Sequence, residues 1–232
     1  EADFGNITVL NKVVDRETAK LIGKNEGVND ASVYTEVVLA PGYDGEALDI
    51  LKAKQKKKIR IIRTTNGSTY PYDVKIIQGL ALVQDSPDYK RRLDPSKVTV
   101  ETKSKPSGSD KAILLGLWEV ARRVESNGIV LGNGEVGPAG EVTKLWTLGV
   151  GGFRKRNGAT KIALDNAGSR ARGAYCVSDG FFPFPDSVEM LGNAGVRGII
   201  QPGGSINDKK VVETSDQFSI PMLFTHERAF KH

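Results

Sequence analysis

The sequence predicts an α/β protein built in αβα layers. Three observations carry this. Short apolar runs alternate with helical stretches through the first 63 residues, and the same alternation returns in the last third. A long amphipathic helix at 111–124 stands between them.

Residues 7–10 (ITVL) read as a strand and 15–24 as a helix. Residues 34–40 (YTEVVLA) are a second strand, closed by the turn Pro41-Gly42-Tyr43-Asp44-Gly45. Helical spacing covers 46–57, with Leu48 and either Ile50 or Leu51 on one face, before a third strand at 58–63 (KIRIIR). Residues 76–83 are expected to form one strand, and 103–110 (KSKPSGSD) a polar loop. Asp110 then caps the helix at 111–124, whose stripe is Ile113, Leu117, Val120 and Val124. The pair Ser126-Asn127 is a turn by composition and leads to a strand at 128–131. The last third reads as strand 174–178, helix 187–194, strand 196–201, helix 208–217 and strand 220–225. No linker is long enough to demand a boundary, so one domain over 1–232 is expected.

Composition narrows the function classes. No run approaches the roughly 20 apolar residues of a membrane span, and nothing reads as a signal segment. Cys176 is the single cysteine, which excludes an intrachain disulfide framework. With His226 and His232 the two histidines, zinc is not expected. A reduced, cytoplasmic setting fits. The net charge is +5, much of it in the run 52–60 (KAKQKKKIR). That run lacks interleaved aromatic residues, so it reads as solvated surface in a protein handling anionic small molecules. Neither nucleic acid nor a membrane is an expected partner.

Three segments carry chemistry. In 178–186 (SDGFFPFPD) two prolines stiffen a loop with three phenylalanines and two carboxylates. Its rings either flank a flat heterocycle, with Asp186 accepting from amino groups, or staple the loop to the core. In 201–207 (QPGGSIN) paired glycines precede a helix start, which suits either an anion site or an ordinary strand-to-helix turn. The stretch 147–156 (TLGVGGFRKR) is a glycine-rich loop running into three cations; it matches no P-loop or dinucleotide pattern. A basic hairpin tip is its simpler reading. Cys176 reads as a small core residue, and His232 as a chain end.

Taken in order, SDGFFPFPDS, AGVRGIIQPGGSINDKKV and FTHERAFKH resemble AICAR transformylase. That enzyme is usually the C-terminal domain of the bifunctional purine-biosynthesis protein that also carries IMP cyclohydrolase. ADFGNITVLNKVVDRETAK, EVVLAPGYDGEALDILKAKQ and ESNGIV are similar to the same family, so the resemblance spans essentially the whole chain. It implies a cytidine-deaminase-like α/β fold without the deaminase zinc, AICAR and 10-formyltetrahydrofolate as substrates, a structural potassium ion, and a homodimer.

By position, Gly5, Asn127, Phe181 and Arg228 match family contacts to the AICAR nucleotide, and Glu36 an acid on the substrate side. Asp186, Ser205 and the backbone of Ile206 match the folate side; Ser126 and Asp179 match parts of the potassium site. The chain departs from the family in two places. The catalytic Lys-His pair of a KHxNPCG-type motif has no counterpart, leaving Asn127 as the matched catalytic position. The family's GAGQxSR reads here GVGGFRKR, so Arg154 and Arg156 compete for the substrate arginine, and an insertion at 135–146 precedes them. The expected function is folate-dependent formyl transfer to AICAR as one piece of a larger or split transformylase. The alternatives are a non-catalytic nucleotide- or folate-binding relative, or partner of an active subunit, and a different acyl or formyl transfer on the same scaffold.

Overall fold

A strand buried on both faces must be apolar at consecutive positions, whereas a half-buried strand alternates. Both kinds occur here. The computed structural model describes residues 6–22, 35–53, 59–64, 71–86 and 93–231. The chain divides into two compact units, Glu1–Thr69 and Tyr70–His232.

In the first unit β1 (Asn6–Val9), β2 (Thr35–Ala40) and β3 (Arg60–Arg63) form a parallel sheet in the order β1-β2-β3. Parallel neighbours need crossovers, and α1 (Arg16–Leu21) and α2 (Gly45–Ala53) supply them. Asp15 caps α1 by accepting from the Thr18 N–H at 2.8 Å, and Asp44 accepts from the Ala47 N–H at 2.6 Å. Val14, Ala19, Val38, Ala40, Ala47 and Leu51 are fully buried and make the core. Of the predicted helices, α1 stops at Leu21, with 23–24 outside the described residues, as are Tyr34 and 54–57.

The second unit holds a six-stranded mixed sheet in the order β6-β11-β10-β9-β7-β8, built from β6 (Thr99–Val100), β7 (Gly128–Val136), β8 (Val142–Gly152), β9 (Tyr175–Ser178), β10 (Gly198–Gln201) and β11 (Met222–Phe224). β9, β10 and β11 run parallel; β7 is antiparallel to β9 and to β8, and β6 antiparallel to β11. Successive residues face opposite layers. Ile129, Leu131, Cys176, Ile199 and Met222 pack with α4 (Arg156–Ala167), α5 (Asp186–Asn193) and α6 (Asp208–Gln217). Val130, Val177, Ile200 and Leu223 pack under α3 (Gly108–Ala121). This is the expected αβα layering. Complete burial raises the Cys176 thiol well above its usual range, as fits a core residue.

The structure corrects several local expectations. Ser107, not Asp110, caps α3; Asp110 is the third helical residue and returns the bond to the Ser107 N–H, a capping box. Residues 76–83 are not one strand but the inner halves of a hairpin, β4 (Tyr72–Ile77) and β5 (Leu80–Asp85), turned by Gln78 and Gly79 at positive φ. Residues 147–152 are the end of β8 rather than a loop. Gly149 and Gly151 are there for packing: a Cβ on either would overlap the carbonyl of Ala163 or Ala159 in α4. The insertion at 135–146 is the far end of the β7–β8 hairpin.

Asp110 also fastens α3 to the sheet. Burial raises its carboxyl pKa, but bonds from the Tyr175 hydroxyl and Ser107, with Arg197 at 2.9 Å, outweigh that and hold it below its usual range. A depressed carboxylate contributes stability above its unfolded pKa and loses it as pH falls through the folded value. Asp110→Asn should therefore cost about 1–3 kcal/mol near neutrality. The gap to wild type should narrow below about pH 4. Urea midpoints across pH check this, and a gap that widens in acid would contradict it.

Candidate functional site

Ligands of open α/β sheets gather beyond the carboxyl ends of the strands. Here the segments after β8, β9 and β11 meet the turn before β7 around a cleft of about 470 Å³, lined by Asn127, Arg154, Lys155, Arg156, Asn157, Phe181, Pro183, Phe184, Asp186 and Phe230. The arrangement is fixed from below. The Gln201 side chain accepts from the Phe182 N–H at 3.0 Å, the Ala229 N–H donates to the Asp179 carbonyl at 2.9 Å, and Asn207 donates to the Pro183 carbonyl at 2.7 Å. Phe182 is fully buried, so it staples the loop, while Phe181 and Phe184 face the cleft. Gly180 lacks a side chain because a Cβ would strike both Phe230 and the Arg156 guanidinium.

Arg156 is the centre of a buried network. Its guanidinium pairs with Asp179, donates to the Asn127 Oδ1 at 2.9 Å and reaches the Gly128 carbonyl at 3.3 Å. Asn127 in turn donates to the carbonyls of Phe153 at 3.1 Å and Arg154 at 2.9 Å. Its amide is thus committed at both ends to shaping the Arg154-Lys155 turn. Arg154 and Lys155 are exposed at the cleft edge. Arg228 lies over the Phe181 ring at 5.1 Å and Phe230 at 5.9 Å, a stacked cation beside the cleft. Asp186 accepts from Asn157 at 3.0 Å and from the Ser187 N–H at 2.8 Å.

The cleft therefore collects Asn127, Arg154, Arg156, Phe181 and Asp186 from the residues expected from sequence, with Arg228 stacked on its wall. Ser126 precedes Asn127, its N–H donating to the Lys231 carbonyl at 2.9 Å. Ser205 accepts from the Asn207 N–H at 3.1 Å, and Ile206 is fully exposed beside it. Glu36 lies on β2 of the first unit, 3.7 Å from Arg60, and Gly5 and His232 lie outside the described residues. Sequence reasoning did not single out Phe230, Lys155, Asn157 or Phe184. Phe230 sits within the quoted terminal segment, and Lys155 within the cation triplet, so position rather than residue type hid them.

Among the described residues, no three His, Cys, Asp or Glu side chains come together, and no helix is long and apolar enough to cross a membrane. Asp179 keeps one buried oxygen, Oδ2, without a hydrogen-bond partner. An orphaned carboxylate oxygen suits one position of a monovalent-cation site.

Fold and site define a layered α/β protein with a cationic, aromatic cleft at its strand ends. The chain belongs to the AICARFT/IMPCHase bienzyme family, whose model matches residues 1–166. It is 36% identical over 230 residues to the bifunctional purine biosynthesis protein PurH of Halalkalibacterium halodurans, and 41% identical over 233 residues to that of Prochlorococcus marinus. Both alignments cover 99% of this chain, which spans 41% of the length of these relatives. A solved structure of Acinetobacter baumannii RibD (form 2) matches 49% of this chain and 33% of its own at 20% identity, with a TM-score of 0.30, too weak a likeness to bear on the fold.

Proposed function

We propose that the chain supplies the nucleotide- and folate-facing surfaces of an AICAR transformylase and works as part of a longer or two-piece enzyme. The observation that carries this is the cleft itself. Exposed cations (Arg154, Lys155) stand at its edge and Arg228 is stacked on Phe181, so phosphate and ring contacts share one space. Formyl transfer from 10-formyltetrahydrofolate to the 5-amine of AICAR needs both molecules held in register, a base for the amine proton and a stabilised oxyanion.

In this reading Arg154, not Arg156, meets the ligand, because the Arg156 guanidinium is already engaged by Asp179, Asn127 and Gly128. Asn127 acts by holding the turn that presents Arg154. Asp186, Ser205 and the Ile206 backbone face the folate, and Gly5 and Glu36 the substrate side. A potassium ion would be held at Asp179 Oδ2 with Ser126, where it would balance the free carboxylate oxygen. A cytidine-deaminase-like ancestry, a cytoplasmic setting, assembly with a second copy and a separate chain carrying the Lys-His motif belong to the same reading.

AICAR monophosphate should bind the chain, and Arg228→Ala should weaken binding by about 1.5–3 kcal/mol, the scale of a hydrogen bond to a charged group. Titration calorimetry reads this directly. Unchanged affinity in that variant would remove the nucleotide assignment.

A further inference from the structure

Prolines at 183 and 185 deprive the segment after β9 of two backbone donors, so a continuous ladder cannot hold it. Among the described residues the backbone of 181–184 makes two hydrogen bonds, and both go to side chains of the turn 201–207. The Phe182 N–H donates to Gln201 Oε1 at 3.0 Å, and the Pro183 carbonyl accepts from Asn207 Nδ2 at 2.7 Å. Gln201 is fully buried and fixed at its other end, its Nε2 donating to Met222 Sδ at 3.3 Å. Asn207 is the N-cap of α6, yet its side chain makes no capping bond. A residue type favoured as a cap is here diverted to hold a neighbouring loop.

The turn that carries these two side chains is itself pinned. Gly203, at φ 70°, lies so close to the Phe224 ring that a Cβ would overlap it. The Gly204 N–H donates to Asp208 at 2.7 Å, and the Asn207 N–H to the Ser205 hydroxyl at 3.1 Å. Asn207 therefore ties Ser205 on one side to Pro183 on the other. We propose that Asn207 and Gln201 are positioning residues: they clamp the 181–184 segment on the 201–207 turn, so that Phe181 and Phe184 are held at the cleft before a ligand arrives. Neither is among the residues lining the cleft. Each acts through the rings it fixes, and ordering those rings in advance removes a cost that binding would otherwise carry.

This role rests on the reading of the cleft as a nucleotide site, so the test on the full chain carries one readout with ligand and one without. In Asn207→Ser the hydroxyl is too short to reach Pro183, but Ser caps a helix about as well as Asn. The urea midpoint should therefore stay at or above that of wild type. Affinity for AICAR monophosphate, measured by calorimetry, should nevertheless fall about three- to tenfold. Without ligand, the Phe182 amide should exchange its hydrogen faster in Asn207→Ser, although its own acceptor on Gln201 is untouched. Gln201→Met, matched in length, removes that acceptor and should weaken binding in the same direction; circular dichroism confirms that it folds. If wild type does not bind AICAR monophosphate, the transformylase reading falls, and amide exchange alone judges the clamp: faster exchange upholds it. Unchanged Phe182 exchange, unchanged affinity in Asn207→Ser where wild type binds, or an affinity loss that merely follows a lower urea midpoint would overturn the proposal.

Discussion

Arg156→Ala is expected to destabilise the chain by about 3–5 kcal/mol, the cost of leaving a buried charge without its partner. Asp179 is fully buried, and the substitution would strip its ion pair. The Asn127 amide oxygen would lose its donor too, so the turn carrying Arg154 and Lys155 would loosen. Arg156→Lys should rescue little, since one ammonium cannot reproduce a planar fork that meets Asp179 and Asn127 together. Arg154→Ala, on an exposed side chain, should change stability by less than about 0.5 kcal/mol. It should instead weaken binding of AICAR monophosphate. Urea unfolding beside calorimetry separates the two arginines. The assignment fails if Arg154→Ala is the more destabilising variant and Arg156→Ala folds as well as wild type.

The purified chain, given AICAR and 10-formyltetrahydrofolate, should show negligible formyl transfer. Among the described residues no histidine lines the cleft, and Asp186 is committed to Asn157 and the Ser187 N–H. His226 is held elsewhere, its Nε2 2.8 Å from the Thr99 hydroxyl and its ring edge-on to Phe224. Absence of a positioned base costs about 10²–10⁴-fold in rate. Adding a polypeptide that carries a KHxNPCG-type segment should restore consumption of the formyl donor. No restoration would favour a non-catalytic relative, and robust turnover by the chain alone would refute the account of the missing base. His226→Ala would then be the first variant to make.

The elements that could be read in advance have local causes. Helix α6 begins and ends where the pattern places it, and the strands of the last third are apolar at consecutive positions because both faces are covered. Asp15 announces α1 by its own side chain. The hairpin was misread because its turn is Gln78-Gly79, a weaker signal than Asn-Gly, between two short apolar runs that read as one. The start of α3 was misplaced by three residues because Ser107 and Asp110 both look like caps, and only their reciprocal bonding ranks them.

The cleft divides in the same way. By residue type and order, the sequence alone determined the layered α/β class and its doubly apolar strands. It also marked the terminal and FFPFPD segments as chemically loaded. It could not decide between Arg154 and Arg156, because adjacent cations in the run RKR have the same composition and the same neighbours in the chain. Tertiary structure separates them by burial, Arg156 inside and Arg154 exposed. β8 runs to Gly152 and α4 starts at Arg156, which turns that one side chain inward. There it meets Asp179, Gly128 and Asn127, 23, 28 and 29 positions away in sequence. Burial of a charge depends on partners that only folding brings together, and no local pattern records them.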